Sequence, residues 1–377
     1  MTLAVDFSRT RTGPAQPLKL SDALLAGIAS RAAAADRGEV DLGDDLAALR
    51  AAGVLTAPLP AGDGGSDLGL GAEGAGPCLE LLRQLGRANL SVARLVEGHI
   101  NAVKLIALYA TPAARAAAFA DVRAGELFGV WGADGAVPVT LATGDEIALH
   151  GAKRFASGLG LVTRALVTVR TAQGPQLVLA PVGDPARSDA AVWRMSGMRA
   201  TASGTYDFEG VSPGPHALIG APGDLMREPS FEGGVWRYAA AHLGGAEALY
   251  TLMLESLTRA GRADDPHQQR RIAEAGAACE TARLWLESAA MRVESDPADP
   301  EGAAAYALLA REATETACLT VIDRVERALG TFAYDAASPV DRIRRDLSLF
   351  LRQAAPDAKR ARAARALVAG AALPEAL

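Results

Sequence analysis

This chain of 377 residues is poor in the residues that build covalent or metal-bound frameworks. It has three cysteines, Cys78, Cys279 and Cys318, an odd number with no C-x-x-C pair. That argues against a disulfide scaffold and for buried, reduced thiols. Its histidines, His99, His150, His216, His242 and His267, are scattered, and no H-E-x-x-H or Cys/His cluster occurs. A structural zinc site is therefore not expected. Basic charge is also short: 38 Lys and Arg stand against 44 Asp and Glu, a net charge of -6. General nucleic-acid binding needs a basic surface to neutralise phosphates, so it is disfavoured. No apolar run reaches the length of a membrane span. Residues 1–13 lack the apolar stretch of a secretory signal, and Arg9 and Arg11 are a weak match to a transit peptide. A cytoplasmic protein is expected.

Half of the residues are hydrophobic and 22% are charged, the balance of a soluble globular protein. The length supports two or three domains. Residues 20–34 carry apolar side chains at helical spacing behind Ser21, a plausible N-cap. Residues 42–52 form a shorter amphipathic segment stopped by Gly53. A Gly-, Pro- and Asp-rich loop covers 58–74. Helices are expected over 77–85 and 89–109, and again from Thr111-Pro112 to about Arg123.

At Gly125 the period changes to two. Short β-rich runs are expected at 127–131, 139–141, 146–149, 164–170, 176–181, 193–195 and 204–208, with a hairpin turn at Thr143-Gly144-Asp145. That size suits a small barrel or sandwich. After Pro222 long helical segments return at 235–259, 266–293, 300–329, 339–353 and 356–371, as in an antiparallel bundle. The expected fold is α+β and multidomain: an N-terminal helical domain (1–124), a central small β-barrel or sandwich (125–222) and a C-terminal four-helix bundle (223–377).

Several segments, in order, resemble the acyl-CoA dehydrogenase family. G-A-K-R-F-A-S-G from Gly151 resembles the family's G-x-K-x-W-I-T-N-G, with Phe155 for Trp and Ser157 for Thr. G-M-R-A-T-A-S-G-T-Y-D-F-E-G-V from Gly197 resembles the strand pair that closes the β domain. Residues 328–346 resemble the family's G-G-x-G-Y…P-V-x-R-x-x-R-D segment, and residues 46–68 its N-terminal helix and loop. The resemblance implies FAD between the β domain and the bundle. Phe155 would pack beside the ring, Ser157 would bond near flavin N5, and the strand through Trp131 and Ala133 would pass the pyrimidine. Arg262 and Gln268 match residues that reach a neighbouring subunit's FAD, and Arg327 stands where the family has Gln. Gly330 would let the backbone approach the diphosphate. A homodimer or homotetramer acting on an acyl-CoA or a carrier-bound acyl group follows from the same resemblance.

The chain also departs from the family. The T-E-P-x-x-G-S-D signature is replaced by Ala133-Asp134-Gly135-Ala136-Val137-Pro138, which removes a hydroxyl at Ala133. Proton abstraction at Cα needs a carboxylate in a dry site. The usual Glu position falls near Ala354, and the alternative position falls near Trp236. Two other residues are candidate bases. Glu232, one turn before Trp236, is alternatively an acid placed at a helix N-terminus. His242 is alternatively a hydrogen-bonded core histidine. Glu97 and His99, with Asn101, are polar residues in an apolar helix; they face a substrate pocket or pair across a domain interface. Residues 341–367 hold eight basic residues against three acids, suited either to phosphates or to ion pairing on a solvated face. Three functions fit: oxidation of an acyl thioester by hydride transfer to FAD, monooxygenation by a reduced flavin, or a non-catalytic paralogue in a hetero-oligomer.

Overall fold

A computed structural model describes residues 18–143, 147–353 and 355–370. Five helices come first: α1 (Asp22–Arg37), α2 (Gly43–Ala51), α3 (Gly71–Ala88), α4 (Leu90–Tyr109) and α5 (Pro112–Arg123). Their starts follow local chemistry. The Ser21 hydroxyl accepts from Leu24 N at 3.2 Å, and the Thr111 hydroxyl accepts from Ala114 N at 3.3 Å, each satisfying an orphan N–H. Helix α3 begins six residues before Pro77, the start expected from sequence. Ala75, Cys78, Leu79, Leu82 and Leu85 are buried along it. That packing outweighs the roughly 3 kcal/mol an internal proline costs.

Strands follow: β1 (Phe128–Trp131), β2 (Thr140–Thr143), β3 (Ile147–His150), β4 (Ala152–Ala156), β5 (Arg164–Thr171), β6 (Gly174–Pro181), β7 (Ser188–Asp189), β8 (Gly204–Asp207) and β9 (Leu218–Ile219). They form three small sheets, ordered β1-β5-β6-β9, β2-β3 and β4-β8-β7. Strand β1 runs parallel to β5 and the other pairs are antiparallel. Trp131, Tyr206 and Phe208 form an aromatic core between sheets, with Tyr206 and Phe208 centroids 4.9 Å apart. The strand expected at 193–195 is instead an irregular loop, where Trp193 Nε1 donates to Met198 O at 2.9 Å. Strand β4 was not expected, because buried Lys153 interrupts its apolar alternation. Gly144 and Asp145 of the expected hairpin turn lie outside the described residues.

The C-terminal helices are α6 (Trp236–Arg259), α7 (Pro266–Glu294), α8 (Pro300–Leu329), α9 (Pro339–Phe350) and α10 (Pro356–Val368). Asp265 and Asp299 cap α7 and α8 at the residue before each proline. Helices α6, α7 and α8 pack on one another, and α3 packs on α6 and α7. Gly86 and Gly244 make the α3–α6 approach possible. A Cβ on Gly86 would lie 2.3 Å from Ala241 O, and one on Gly244 would lie 2.2 Å from Arg83 O. Among the described residues no helix is long and apolar enough to cross a membrane. The architecture is a helical N-terminal region, small central sheets and a C-terminal helical bundle.

Candidate functional site

A narrow cleft opens where α4 passes β1. Arg94, Leu95 and Gly98 line one side and Phe128–Trp131 the other, with Ser157 and Val162 at the end. Its enclosed volume is ≈ 10 Å³, room for about one water. A planar ligand larger than that would lie across its mouth. Two glycines keep the walls close. A Cβ on Gly98 would meet Arg94 Nη1 at 3.2 Å. Gly158 has φ +83°, and a Cβ there would meet Val162 Cγ2 at 2.7 Å and Leu95 Cδ2 at 3.0 Å.

Ser157 follows β4 in a turn held from two sides. Trp131 Nε1 donates to Ser157 O at 3.2 Å, and Gly158 N donates to Thr201 O at 2.7 Å. Its hydroxyl contacts Ser203 Oγ at 2.7 Å, Ser203 Oγ contacts Thr201 Oγ1 at 2.7 Å, and Thr201 Oγ1 donates to Met198 O at 2.7 Å. Ser203 and Thr201 are buried. This row of hydroxyls is anchored by α9. Asp346 Oδ1 accepts from Met198 N at 2.5 Å, and Arg345 donates to Ser196 O while pairing with Asp36 and Asp341, each at 2.7 Å. The R-R-D segment thus clamps α1 and the 196–203 loop together. Burial drives the Asp346 carboxyl up to about 6, against the opposing pull of the Met198 N–H and Arg342.

Behind Arg94 runs a buried charge network. Arg94 Nη1 donates to Glu97 Oε2 at 2.7 Å, and Asn101 Nδ2 donates to Glu97 Oε1. Arg237 Nε donates to Asn101 Oδ1 at 2.6 Å and Arg237 Nη1 to Glu294 Oε1 at 2.8 Å. Lys104 Nζ pairs with Glu294 Oε2, and Trp236 Nε1 donates to Glu294 Oε1 at 3.3 Å. The path runs from the cleft through α4 to α6 and α7. Burial lowers the Lys104 ammonium from its ordinary range while Glu294 opposes that shift. Cys78 lies close enough to feel these charges, and burial pushes its thiol up to about 12.

The sequence-predicted residues separate into groups. Trp131 and Ser157 line the cleft. Ala133 contributes its carbonyl to Arg154 N at 3.0 Å. Phe155, at a bulge with φ 54°, is 48% exposed beside the Trp193 ring and is not part of the cleft wall. Neither Glu97 nor His99 lines the cleft: Glu97 belongs to the network. His99 is fully buried, its Nε2 paired with Leu55 O at 2.7 Å and its Nδ1 accepting from Phe128 N at 3.0 Å. That pattern assigns the neutral tautomer with the proton on Nε2. Burial lowers this imidazole to about 4.

Glu232 is held by Arg362 at 2.6 Å and Lys359 at 3.4 Å. His242 is buried in α6 against Tyr238 and Phe350, and its Nε2 has no partner. Burial and the charges of Arg311 and Arg352 push its pKa well below the ordinary histidine value. Tyr238 Oη and Arg311 Nε are also buried without partners nearby, a place where a water or a ligand's polar group would be satisfied. Arg262, Gln268, Arg327 and Gly330 lie at the opposite end of the bundle, beyond the α6 C-terminus or at the α7 and α8 ends facing it. Residues Leu90 and Asn101 of α4 meet Gly245 and Arg237 of α6, so Arg262 is some 20 residues, about 30 Å, further along. Arg327 is already paired with Asp323 at 2.9 Å.

The basic C-terminal run is largely paired. Arg344, Arg345, Arg352, Arg360 and Arg362 each meet a carboxylate. Among the described residues no group of three His, Cys, Asp or Glu side chains could hold a metal. Arg94 and Gly98 have no role assigned by the sequence motifs, and Thr201 and Ser203 fall within the segment that resembles the closing strand pair. The spacing of two hydroxyls in T-A-S was the available signal. Lys153 likewise has no role assigned by the motifs; buried, it bonds Asp134 Oδ1 at 2.6 Å and Thr168 Oγ1 at 2.9 Å.

Residues 237–355 match the family model described as Acyl-CoA dehydrogenase, C-terminal domain. No curated protein matches the chain. Among solved structures, it is similar to FMN-bound TdsC, a dibenzothiophene monooxygenase from Paenibacillus sp. A11-2, at 21% identity and TM-score 0.79, covering 93% of this chain and 96% of that one. It is similar to the methanesulfinate monooxygenase MsuC from Pseudomonas fluorescens at 19% identity and TM-score 0.79, covering 95% and 99%. KijD3, solved with FMN and a dTDP-linked sugar, matches at 20% identity and TM-score 0.80, covering 94% and 93%. The chain therefore has the acyl-CoA dehydrogenase fold over nearly its whole length, and its bundle matches that family in sequence.

Proposed function

We propose that this protein is a flavin-dependent oxidoreductase that uses reduced FMN and dioxygen to monooxygenate a small molecule. The observation that carries the reading is the chemistry of the cleft. Its lining offers a hydroxyl, a guanidinium and apolar walls, and contains no carboxylate to take a proton from an acyl thioester. The candidate acids are engaged elsewhere: Glu97 by Arg94 and Asn101, and Glu232 by Arg362 and Lys359. The donor set fits a flavin ring, which needs a flat apolar surface and polar groups at one edge. Leu95, Val130 and Val162 supply the first. Ser157 and Arg94 supply the second, and Arg94 Nε and Nη2 make no hydrogen bond among the described residues. Reduced flavin bound here would supply the two electrons that place one oxygen atom of O₂ in the substrate and release the other as water. The protein's part is to orient the ring through Ser157, to offer positive charge through Arg94, and to keep the site dry with Leu95 and Val162.

FMN is preferred to FAD because TdsC and KijD3, similar in fold, were solved with FMN. Arg262 lies past the end of α6, roughly 30 Å along it from the cleft, and would bear on a cofactor from a second copy, in a homodimer or homotetramer. A second reading, dehydrogenation of an acyl thioester with FAD, is favoured by the family match over residues 237–355. Anaerobic titration discriminates. Tight binding of reduced FMN, followed by ¹⁸O transfer from O₂ to a sulfur- or nitrogen-containing substrate, is expected. A protein that retains FAD and bleaches on adding an acyl-CoA would overturn the proposal in favour of the second reading.

A further inference from the structure

We infer that the hydroxyl row behind the cleft makes Ser157 a hydrogen-bond acceptor only, and that Ser203 and Thr201 thereby bias the site toward reduced flavin. The inference rests on the reading that the cleft holds a flavin. Three O···O contacts of 2.7 Å link Ser157, Ser203, Thr201 and Met198 O. Each contact at that distance needs one hydrogen between its oxygens. Three hydroxyl hydrogens are available, one per side chain. The Met198 carbonyl cannot donate, so Thr201 must donate to it. Thr201 then accepts from Ser203, and Ser203 accepts from Ser157. The order is fixed from its buried end.

The Ser157 hydrogen therefore points away from the cleft, and only lone pairs face it. Met198 itself is held by Asp346 at its N–H, and Trp193 Nε1 shares its carbonyl at 2.9 Å, so the anchor does not turn. Flavin N5 is an acceptor when oxidised and carries a hydrogen when reduced. An acceptor-only Ser157 pairs with the reduced edge and leaves the oxidised edge facing a lone pair. Ser203 and Thr201 are positioning residues: they touch no ligand and set which way one hydroxyl points.

The test uses the full chain with FMN, oxidised or light-reduced under argon, and reads the two dissociation constants. Wild type is expected to bind reduced FMN more tightly by roughly tenfold, the worth of one hydrogen bond against one lost. Bound FMN then has a midpoint potential about 30 mV higher than free FMN for the two-electron couple. Ser203→Ala frees Ser157 to donate, and Thr201→Val frees Ser203 to flip. Each is expected to bring the ratio of the two constants close to one while the variant stays folded by circular dichroism. A ratio unchanged in both variants overturns this inference and leaves the flavin reading standing. Failure of wild type to bind either form overturns both.

Discussion

Replacing Glu294 by Gln tests whether the buried network behind the cleft depends on Glu294 as the counter-ion that Lys104 and Arg237 share. In the wild type, Arg94, Lys104 and Arg237 carry positive charge against Glu97 and Glu294, a net +1 in the buried network. Glu294 accepts from Lys104, Arg237 at 2.8 Å and Trp236 at 3.3 Å, and the Lys104, Arg237 and Glu294 side chains are 7%, 2% and 2% exposed. The amide keeps the size but removes the charge, leaving Lys104 and Arg237 without their shared counter-ion. Breaking a buried pair in this way costs about 3–5 kcal/mol. That is a large part of the roughly 5–15 kcal/mol by which a domain is stable. Urea unfolding should show a lower midpoint with an unchanged slope. The pH dependence adds a signature. Lys104 is already lowered by burial, and Glu294 is its main opposing charge, so the variant lowers it further. Between that depressed value and the unfolded value near 10.5, the unfolded chain binds a proton that the folded chain does not. Stability therefore rises with pH across this window, which is wider in the variant. The deficit of Glu294→Gln should shrink as pH rises through the interval between the variant's and the wild type's depressed Lys104 values, both below 10.5. A deficit under about 1 kcal/mol, or one independent of pH, would refute the reasoning.

Other expected outcomes are as follows. Between pH 6.5 and 4 the unfolded chain protonates His99 but the fold does not, so its contribution is lost on acidification. Asp346, raised to about 6, works the other way: the fold binds its proton first, and that contribution is fully present below the unfolded value and lost as pH rises through 6. Asp346→Asn should therefore steepen the acid loss by about 2 kcal/mol between pH 6 and 4, read by urea unfolding; an unchanged pH profile would contradict the assignment. His99→Leu strands the Phe128 N–H and the Leu55 carbonyl, each worth about 1–3 kcal/mol, and a melting temperature equal to wild type would argue against it. Gly244→Ala puts a Cβ 2.2 Å from Arg83 O and should cost at least about 1–3 kcal/mol by forcing α3 and α6 apart; calorimetry decides. Ser157→Ala should weaken reduced-FMN binding by roughly tenfold, and no change would remove Ser157 from the flavin site.

Legibility in the sequence followed range. Helix starts were readable because their signals are local: the Ser21 and Thr111 caps sit within three residues of the N–H they satisfy, and Pro300, Pro339 and Pro356 open their helices. Strand β4 was missed because Lys153 is buried with Asp134 and Thr168, partners 19 and 15 residues away that break the expected alternation. Helix α3 started early because its stripe packs on distant helices. Within the candidate site, Trp131 and Ser157 were readable through the resemblance. Glu97 and Asn101 stand out as polar groups in an apolar helix, but Asn101's partner Arg237 is 136 residues further on.

By itself the sequence determined the order of helices, strands and helices, the acidic and cysteine-poor character, and the family resemblance. Each depends on residue type or near-neighbour spacing. Only the tertiary structure decided that Arg94 and Gly98 face Ser157 while His99 faces away. Only it closed the charge network and fixed the direction of the hydroxyl row. Those outcomes depend on groups far apart in the chain, and a buried polar group stays only where a distant element supplies its partner.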